Sequence, residues 1–128
     1  PNQLTIANRT LDKAIELQQQ FAHFGNIRSA SYQELAQEKF DIIINATSAS
    51  LANELPPLTP NVFVAQTLAY DMMYGKQLTP FLQFAQRNSV SHLVDGIGML
   101  VEQAAESFYL WRNIRPETKT VIHMLRNS

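Results

Sequence analysis

Short apolar runs typical of strands alternate along this chain with longer apolar stripes typical of helices. The pattern predicts strands over residues 4–8, 27–30, 40–46, 67–72 and 92–94. It predicts helices over residues 11–25, 32–37, 78–88, 96–111 and 116–126. Because strands and helices alternate throughout, we expect an α/β fold with a mostly parallel sheet.

Individual residues refine these elements. The continuous apolar stretch Ile42-Ile43-Ile44 is typical of a strand whose two faces are both covered by helices. Thr10 is suited to cap the first helix, because a threonine hydroxyl can accept a bond from an exposed backbone N–H. Pro80 and Pro116 suit first-turn positions, where a proline loses no hydrogen bond. We therefore expect helices to begin at these three places.

Composition narrows the function classes. The chain has 128 residues, 45% of them hydrophobic and 16% charged, with a net charge of −1. This predicts one globular domain or a piece of one, and the scattered basic residues disfavour nucleic acid or a membrane as partner. There is no cysteine and no long apolar run, so a cytoplasmic protein is expected. A strand-like run follows Pro1 almost directly, which suggests a piece of a larger protein.

Metal and hydrolase chemistry are disfavoured. The three histidines, His23, His92 and His123, are far apart and have no acidic residue at ligand spacing, so no metal site is expected. The chain also lacks a G-x-S-x-G elbow and a Walker loop. Serine hydrolases and P-loop enzymes are therefore poor candidates.

A basic motif, Asn8-Arg9-Thr10, follows the first predicted strand, and Lys13 lies one turn into the next helix. In dinucleotide-binding sheets, an acid at such a strand end binds the ribose hydroxyl of NAD, whereas an arginine accommodates the 2′-phosphate of NADP. Arg9 stands there without an acid, which favours a phosphate ligand. A solvated loop arginine is the alternative.

Two more strand ends carry small or adaptable side chains. The run 45–48 places polar groups after the third strand, at the edge where open α/β sheets bind ligands. After the fourth strand, alternation puts Met72 and Tyr74 on the same side, where they could face a cofactor ring and a hydroxylated substrate. An ordinary turn and ordinary core packing are the alternatives.

The run 95–103 is a glycine turn that opens an apolar helix. Met99 and Gln103 are four residues apart and share a helix face, with Gly96 at the turn below them. An amide on an apolar face needs a partner, and a polar ligand is one candidate. A core helix whose glutamine reaches a loop carbonyl is the other.

In this order and spacing, the motifs resemble the carboxy-terminal part of shikimate dehydrogenase. The resemblance rests on Asn8-Arg9-Thr10, Asn45-Ala-Thr-Ser48, Tyr70-Asp-Met-Met-Tyr74 followed by Thr79-Pro80, and Asp95-Gly-Ile-Gly-Met-Leu-Val-Glu-Gln103-Ala-Ala. It implies that residues 1–128 form a partial, Rossmann-like NADP-binding domain. The implied enzyme is an oxidoreductase of aromatic amino acid biosynthesis, in the chorismate pathway, which interconverts 3-dehydroshikimate and shikimate with NADP.

The resemblance also implies residue roles. Cofactor contacts would come from Asn8, Arg9, Thr10, Lys13, Ala46, Thr47, Met72, Gly96, Met99 and Leu100. Substrate contacts would come from Tyr74 and Gln103. No catalytic residue is expected here, because the family's lysine and aspartate belong to an upstream substrate domain. Ser50 stands where the family usually has glycine, which puts the contact of that loop with the cofactor in doubt.

The family's central strand and glycine-rich phosphate loop are missing as well. In a 3-2-1-4-5-6 sheet, loss of the first strand leaves two half-sheets with unpaired inner edges. The isolated chain is therefore expected to be inactive, and to self-associate or need a partner, while the parent enzyme could be a homodimer. Two alternatives stay open: an NAD-using quinate/shikimate dehydrogenase, and a non-catalytic nucleotide-binding sensor module.

Overall fold

The computed structural model describes residues 1–52 and 54–127. Its strands are β1 (Leu4–Ala7), β2 (Ile27–Ala30), β3 (Ile42–Asn45), β4 (Leu68–Asp71) and β5 (His92–Val94). Its α-helices are α1 (Leu11–Phe21), α2 (Pro80–Arg87), α3 (Ile97–Arg112) and α4 (Lys119–Asn127). Short 3₁₀ helices cover Ala22–Phe24, Glu34–Gln37, Ser48–Ala52 and Pro60–Val62. In the part of the chain that the structure describes, no helix is both long and apolar enough to cross a membrane.

The chain divides into two compact units. The amino-terminal unit comprises Pro1–Phe40 and Pro57–Val62. In it, β1 and β2 pair in parallel with Ala7 opposite Ala30, and α1 connects them. The buried face of α1 is narrow and centres on Ala14, so the helix packs closely on its strands.

The carboxy-terminal unit comprises Asp41–Pro56 and Phe63–Ser128. It holds a three-stranded parallel sheet in the order β3-β4-β5. Apolar residues of the central strand and the helices form its core, among them Ala69, Phe81, Leu82, Ala85, Ile97, Val101 and Ala105. The core therefore lies beneath the strand ends that carry the candidate site residues of this unit.

The predicted fold class is confirmed. All paired strands are parallel and alternate with helices, and they form two separate sheets, as expected when a central strand is missing. Pro80 is the first residue of α2, and the Thr79 hydroxyl caps this helix by accepting a bond of 3.3 Å from the Leu82 N–H. The threonine-proline pair is thus a true helix start.

Two predicted helices and one predicted helix cap differ from the structure. The last helix begins at Lys119 and not at Pro116, because the Glu117 carboxylate accepts bonds from the Lys119 and Thr120 N–H groups and caps it there. Thr10 does precede α1, but its hydroxyl makes no capping bond. The predicted helix over 32–37 is a shorter 3₁₀ helix, Glu34–Gln37.

The expectation that both faces of β3 are covered is also wrong for this chain. Ile42 and Ile44 are 57% and 58% exposed, whereas Ile43 between them is half-buried. Because alternate side chains of a strand point to opposite faces, one apolar face of β3 lies open. The other face, which carries Ile43, is half-buried.

Candidate functional site

In the amino-terminal unit, the two strand ends form one side of a cavity. β1 and β2 are parallel neighbours, so the residues after Ala7 and those after Ala30 emerge at the same edge. The cavity has a volume of about 470 Å³ and is lined by Asn8, Arg9, Ser31, Tyr32, Gln33, Ala36, Pro57 and Thr59. Its size falls in the range of small-molecule sites.

The Asn8-Arg9-Thr10 motif forms a fixed turn. The Thr10 N–H donates to the Asn8 Oδ1 over 3.0 Å, and the Lys13 N–H donates to the Thr10 carbonyl over 3.1 Å as α1 begins. This side chain to backbone bond holds Arg9 between two constrained residues. Arg9 lines the cavity, while Thr10 and Lys13 are exposed at the start of α1. A guanidinium beside the amino end of a helix is chemistry suited to a phosphate.

The cavity is also lined by Tyr32, a residue to which the sequence assigned no role. The segment around it is a capping box: Ser31 donates its N–H and its hydroxyl to Glu34 Oε2 over 2.7 and 2.8 Å, and the Glu34 N–H returns to Ser31 Oγ over 3.3 Å. These bonds lower the pKa of Glu34. The Ser-x-x-Glu spacing was a readable signal for this turn.

Tyr32 itself is half-buried. Burial raises the pKa of its phenol, and the positive charge of Arg9 acts in the opposite direction. Behind it, the Thr59 hydroxyl donates to the Ala36 carbonyl over 3.3 Å and ties the proline-rich segment to the wall of the cavity. The cavity is therefore built from three segments that hydrogen bonds hold in place.

In the carboxy-terminal unit, backbone bonds continue beyond the ends of the strands. The Met72 N–H donates to the Asn45 carbonyl over 3.0 Å, and the Gly96 N–H donates to the Met73 carbonyl over 3.1 Å. The segments that follow β3, β4 and β5 are thus tied side by side. Three of the motifs singled out in the sequence meet at this edge.

Gly96 is required by space. Its φ of −75° is ordinary for any residue. A Cβ built on Gly96 would lie 1.9 Å from the Met72 carbonyl oxygen, a distance that real contacts do not reach. Glycine therefore lets the start of α3 approach the segment after β4. Two residues that the resemblance assigns to the cofactor, Met72 and Gly96, are in direct contact.

A buried carboxylate, Asp71, fixes the same segment and has no exposed surface. Its Oδ2 accepts from the Thr79 hydroxyl over 2.6 Å and from the Asn45 amide over 3.2 Å. Its Oδ1 accepts from the Met73 N–H over 3.0 Å. No role was predicted for Asp71, since nothing in the spacing of these residues along the sequence shows that three donors converge on its carboxylate.

The network extends to Thr47. Asn45 Oδ1 accepts from the Thr47 N–H over 3.2 Å and from its hydroxyl over 2.7 Å. Thr47 is half-buried and Ala46 is exposed. Ser50 follows in the 3₁₀ helix Ser48–Ala52, and its side chain lies outside the described part of the chain. The turn after β3 is therefore positioned from below by the buried Asn45.

On α3, the face predicted to meet a ligand is open. The buried stripe is Ile97, Val101 and Ala105, whereas Met99 is 39% exposed and Leu100 is 40% exposed. Gln103 is exposed as well, and so is Tyr74 on the segment after β4. The alternative of a core face for Met99 and Gln103 is therefore wrong for this chain. Their cofactor and substrate roles stay predictions.

Comparison with known proteins gives this geometry a context. Residues 96–125 match the family described as Shikimate 5′-dehydrogenase C-terminal domain. A protein of Nitrosospira multiformis named shikimate dehydrogenase (NADP(+)) is 62% identical over 128 residues, which is all of this chain and 46% of that protein. The chain thus spans about half the length of the curated relatives it matches.

Solved structures agree. The Ael1 enzyme from Pseudomonas putida superposes with a TM-score of 0.90 at 48% identity, over 98% of this chain and 46% of that one. A shikimate 5-dehydrogenase of Thermus thermophilus, solved in complex with shikimate, superposes with a TM-score of 0.74 at 27% identity. It covers 96% of this chain and 44% of the other. Over its whole length, the chain is similar to one part of larger enzymes.

Proposed function

We propose that this chain, which corresponds to the carboxy-terminal part of shikimate dehydrogenases, supplies the NADP-binding part of such an enzyme. In the full-length protein, hydride would pass reversibly between NADPH and 3-dehydroshikimate, giving shikimate. The cofactor supplies the hydride. The residues of this chain bind and orient the two reactants.

The observation that carries the proposal is the chemistry of the cavity in the amino-terminal unit. Arg9 lines it beside the amino end of α1, and none of the residues found to line it is acidic. An arginine pairs with phosphate oxygens, whereas an NAD site at this position uses a carboxylate for the ribose hydroxyl. These donors fit the adenosine end of NADP and argue against the NAD-using alternative.

The carboxy-terminal unit would receive the nicotinamide end and the substrate. Met72 is half-buried and is held at Gly96 by the close backbone contact, and Met99 and Leu100 lie exposed on the first turn of α3. Thioether and apolar side chains suit the face of a ring and exclude water from it. Tyr74 and Gln103 are exposed polar groups that can bond substrate hydroxyls.

The proton for the reaction has to come from outside this chain. Hydride addition at the carbonyl carbon leaves charge on its oxygen, which a proton donor must neutralise. The resemblance places that lysine and aspartate in a preceding domain. We therefore propose that the isolated chain is inactive, and an upstream sequence that lacked both groups would favour the sensor module instead.

The test uses the full-length protein that contains this chain. It should reduce 3-dehydroshikimate with NADPH. Arg9→Ala should weaken NADPH binding about thirtyfold and NADH binding no more than about threefold, since only NADPH loses a charged phosphate contact. Arg87→Ala, at an exposed arginine of α2, is the matched control and should change neither. Equal losses for both cofactors in Arg9→Ala would remove the role of Arg9.

The open strand edges support a proposal about association. Among the described residues, β1 and β3 are each hydrogen-bonded to a strand on one side only, and β3 exposes Ile42 and Ile44. Exposed strand edges are templates for pairing. We expect the isolated chain to self-associate in sedimentation experiments at micromolar concentration, and a monomer with cooperative unfolding would contradict this. We also propose that the full-length parent enzyme is a homodimer. We place it in the cytoplasm, where NADPH is available to biosynthetic enzymes.

A further inference from the structure

Tyr32 lines the same cavity as Arg9 in the amino-terminal unit. It follows β2, the parallel neighbour of β1, so it emerges at the same edge as Arg9, and both line the cavity. Burial raises the pKa of the Tyr32 phenol, and the positive charge of Arg9 acts in the opposite direction. With its pKa raised, the phenol keeps its proton at neutral pH. Its hydroxyl is therefore available as a hydrogen-bond donor.

Local hydrogen bonds constrain the backbone that carries Tyr32. The Ser31–Glu34 capping box encloses it, with bonds of 2.7 and 2.8 Å on one carboxylate oxygen. Arg9 is enclosed in the same way by the turn from Asn8 to Thr10. The backbone segments that carry the cationic Arg9 and the neutral Tyr32 are thus constrained by separate local bonds at one cavity. Such preorganisation lowers the entropic cost of binding.

The ligand that matches this pair is an anion attached to a flat ring. A guanidinium and a phenolic O–H together satisfy several oxygens of one phosphate, and both side chains offer planar faces on which a purine can stack. We propose that Tyr32 is a specificity-determining residue, whose hydroxyl donates to the 2′-phosphate beside Arg9 and selects phosphorylated adenosine over its unphosphorylated form. This rests on the proposed function.

The test is calorimetric titration of the full-length protein with two probes, adenosine 2′,5′-bisphosphate and adenosine 5′-monophosphate. Tyr32→Phe removes only the hydroxyl. It should weaken binding of the bisphosphate about tenfold, the typical effect of losing one hydrogen bond to a charged group, and should change binding of the monophosphate no more than about twofold. Tyr109→Phe, at an exposed tyrosine of α3, is the matched control and should change neither.

The outcomes separate this inference from the proposed function. If Arg9→Ala selectively weakens the bisphosphate but Tyr32→Phe leaves both probes unchanged or weakens both equally, the role of Tyr32 is overturned and the NADP assignment stands. If the wild-type protein does not prefer the bisphosphate at all, the NADP assignment itself fails, and the role of Tyr32 fails with it.

Discussion

The two units present their candidate residues in different ways. In the amino-terminal unit, Arg9 is exposed and lines a cavity, next to a turn formed by Asn8 and Thr10. In the carboxy-terminal unit, Asp71 is fully buried, and it fixes the segment that carries Met72 and Tyr74. The difference leads us to expect that ligand discrimination and stability of the fold depend on separate groups of residues.

This contrast has an energetic basis. Because Arg9 is exposed, its removal should cost little in folding and should act mainly on phosphate binding. A buried carboxylate has lost its hydrating water. If it is removed, the groups that donate hydrogen bonds to it stay buried without an acceptor, which lowers the stability of the fold. Removal of Arg9 should therefore act mainly on ligand binding, whereas removal of Asp71 should lower the stability of the fold as well.

The largest expected effect is that of Asp71→Asn. Three donors converge on this carboxylate, and an amide would turn its own N–H₂ toward at least one of them. We expect a loss of about 3 kcal/mol in the free energy of unfolding, measured by urea denaturation of the full-length protein. Asp41→Asn, at an exposed site of the same unit, should cost no more than about 0.5 kcal/mol. Equal losses of unfolding free energy in the two variants would show that the hydrogen bonds to Asp71 do not stabilise the fold.

Gly96→Ala should come next. The new methyl would meet the Met72 carbonyl oxygen, so the two backbones must separate, at a cost of about 2 kcal/mol in unfolding free energy. Gly98 gives a precise contrast, because a Cβ there meets nothing within 4 Å. Gly98→Ala should leave stability unchanged or raise it by about 0.5 kcal/mol, since alanine favours a helix. Similar losses for both alanines would refute the spatial argument for Gly96.

Thr79→Ala should have a smaller effect. It removes both the cap of α2 and a donor to Asp71, for a cost of about 1.5 kcal/mol in the same denaturation experiment. Thr79→Ser keeps the hydroxyl and should recover most of that loss. Failure of serine to recover it would mean that the methyl group, and not the hydroxyl, is what α2 requires.

The smallest effect concerns the capping box and pH. The bonds from Ser31 hold the pKa of Glu34 below its ordinary value of 4.5. A lowered pKa in the folded state means that the stabilisation is complete above pH 4.5 and is lost as the pH falls through the folded pKa. Glu34→Gln cannot titrate. The difference in melting temperature between wild type and Glu34→Gln should therefore shrink on acidification below this value, and a constant difference would contradict the assignment.

Sequence reasoning succeeded where a structural feature depends on residues that are close together in the chain. The strand ends were predicted because β-type runs stop at polar motifs, and Thr79-Pro80 is a local helix start that the structure confirms. The Ser31–Glu34 capping box is also a local sequence pattern, although it was not predicted. Local structure that depends on a few neighbouring residues can therefore be predicted from the sequence.

It failed where contacts join distant segments. The bond of Asp71 to Asn45 spans 26 positions, and nothing in either strand alone shows that the two side chains face each other. The need for glycine at position 96 depends on the Met72 carbonyl, which only the fold brings near. Ile42 and Ile44 were predicted to be buried, but they are exposed. The apolar pattern of a strand does not show which segment packs on each of its faces.

The comparison of the two units is tested most directly by the ratio of NADPH to NADH affinity in two variants of the full-length protein. Arg9→Ala should reduce this ratio about tenfold, because only NADPH carries the phosphate that we propose Arg9 binds. Gly96→Ala should weaken both cofactors alike and leave the ratio unchanged, because it alters the segment assigned to the nicotinamide that they share. A ratio that moves in Gly96→Ala and stays fixed in Arg9→Ala would contradict the account.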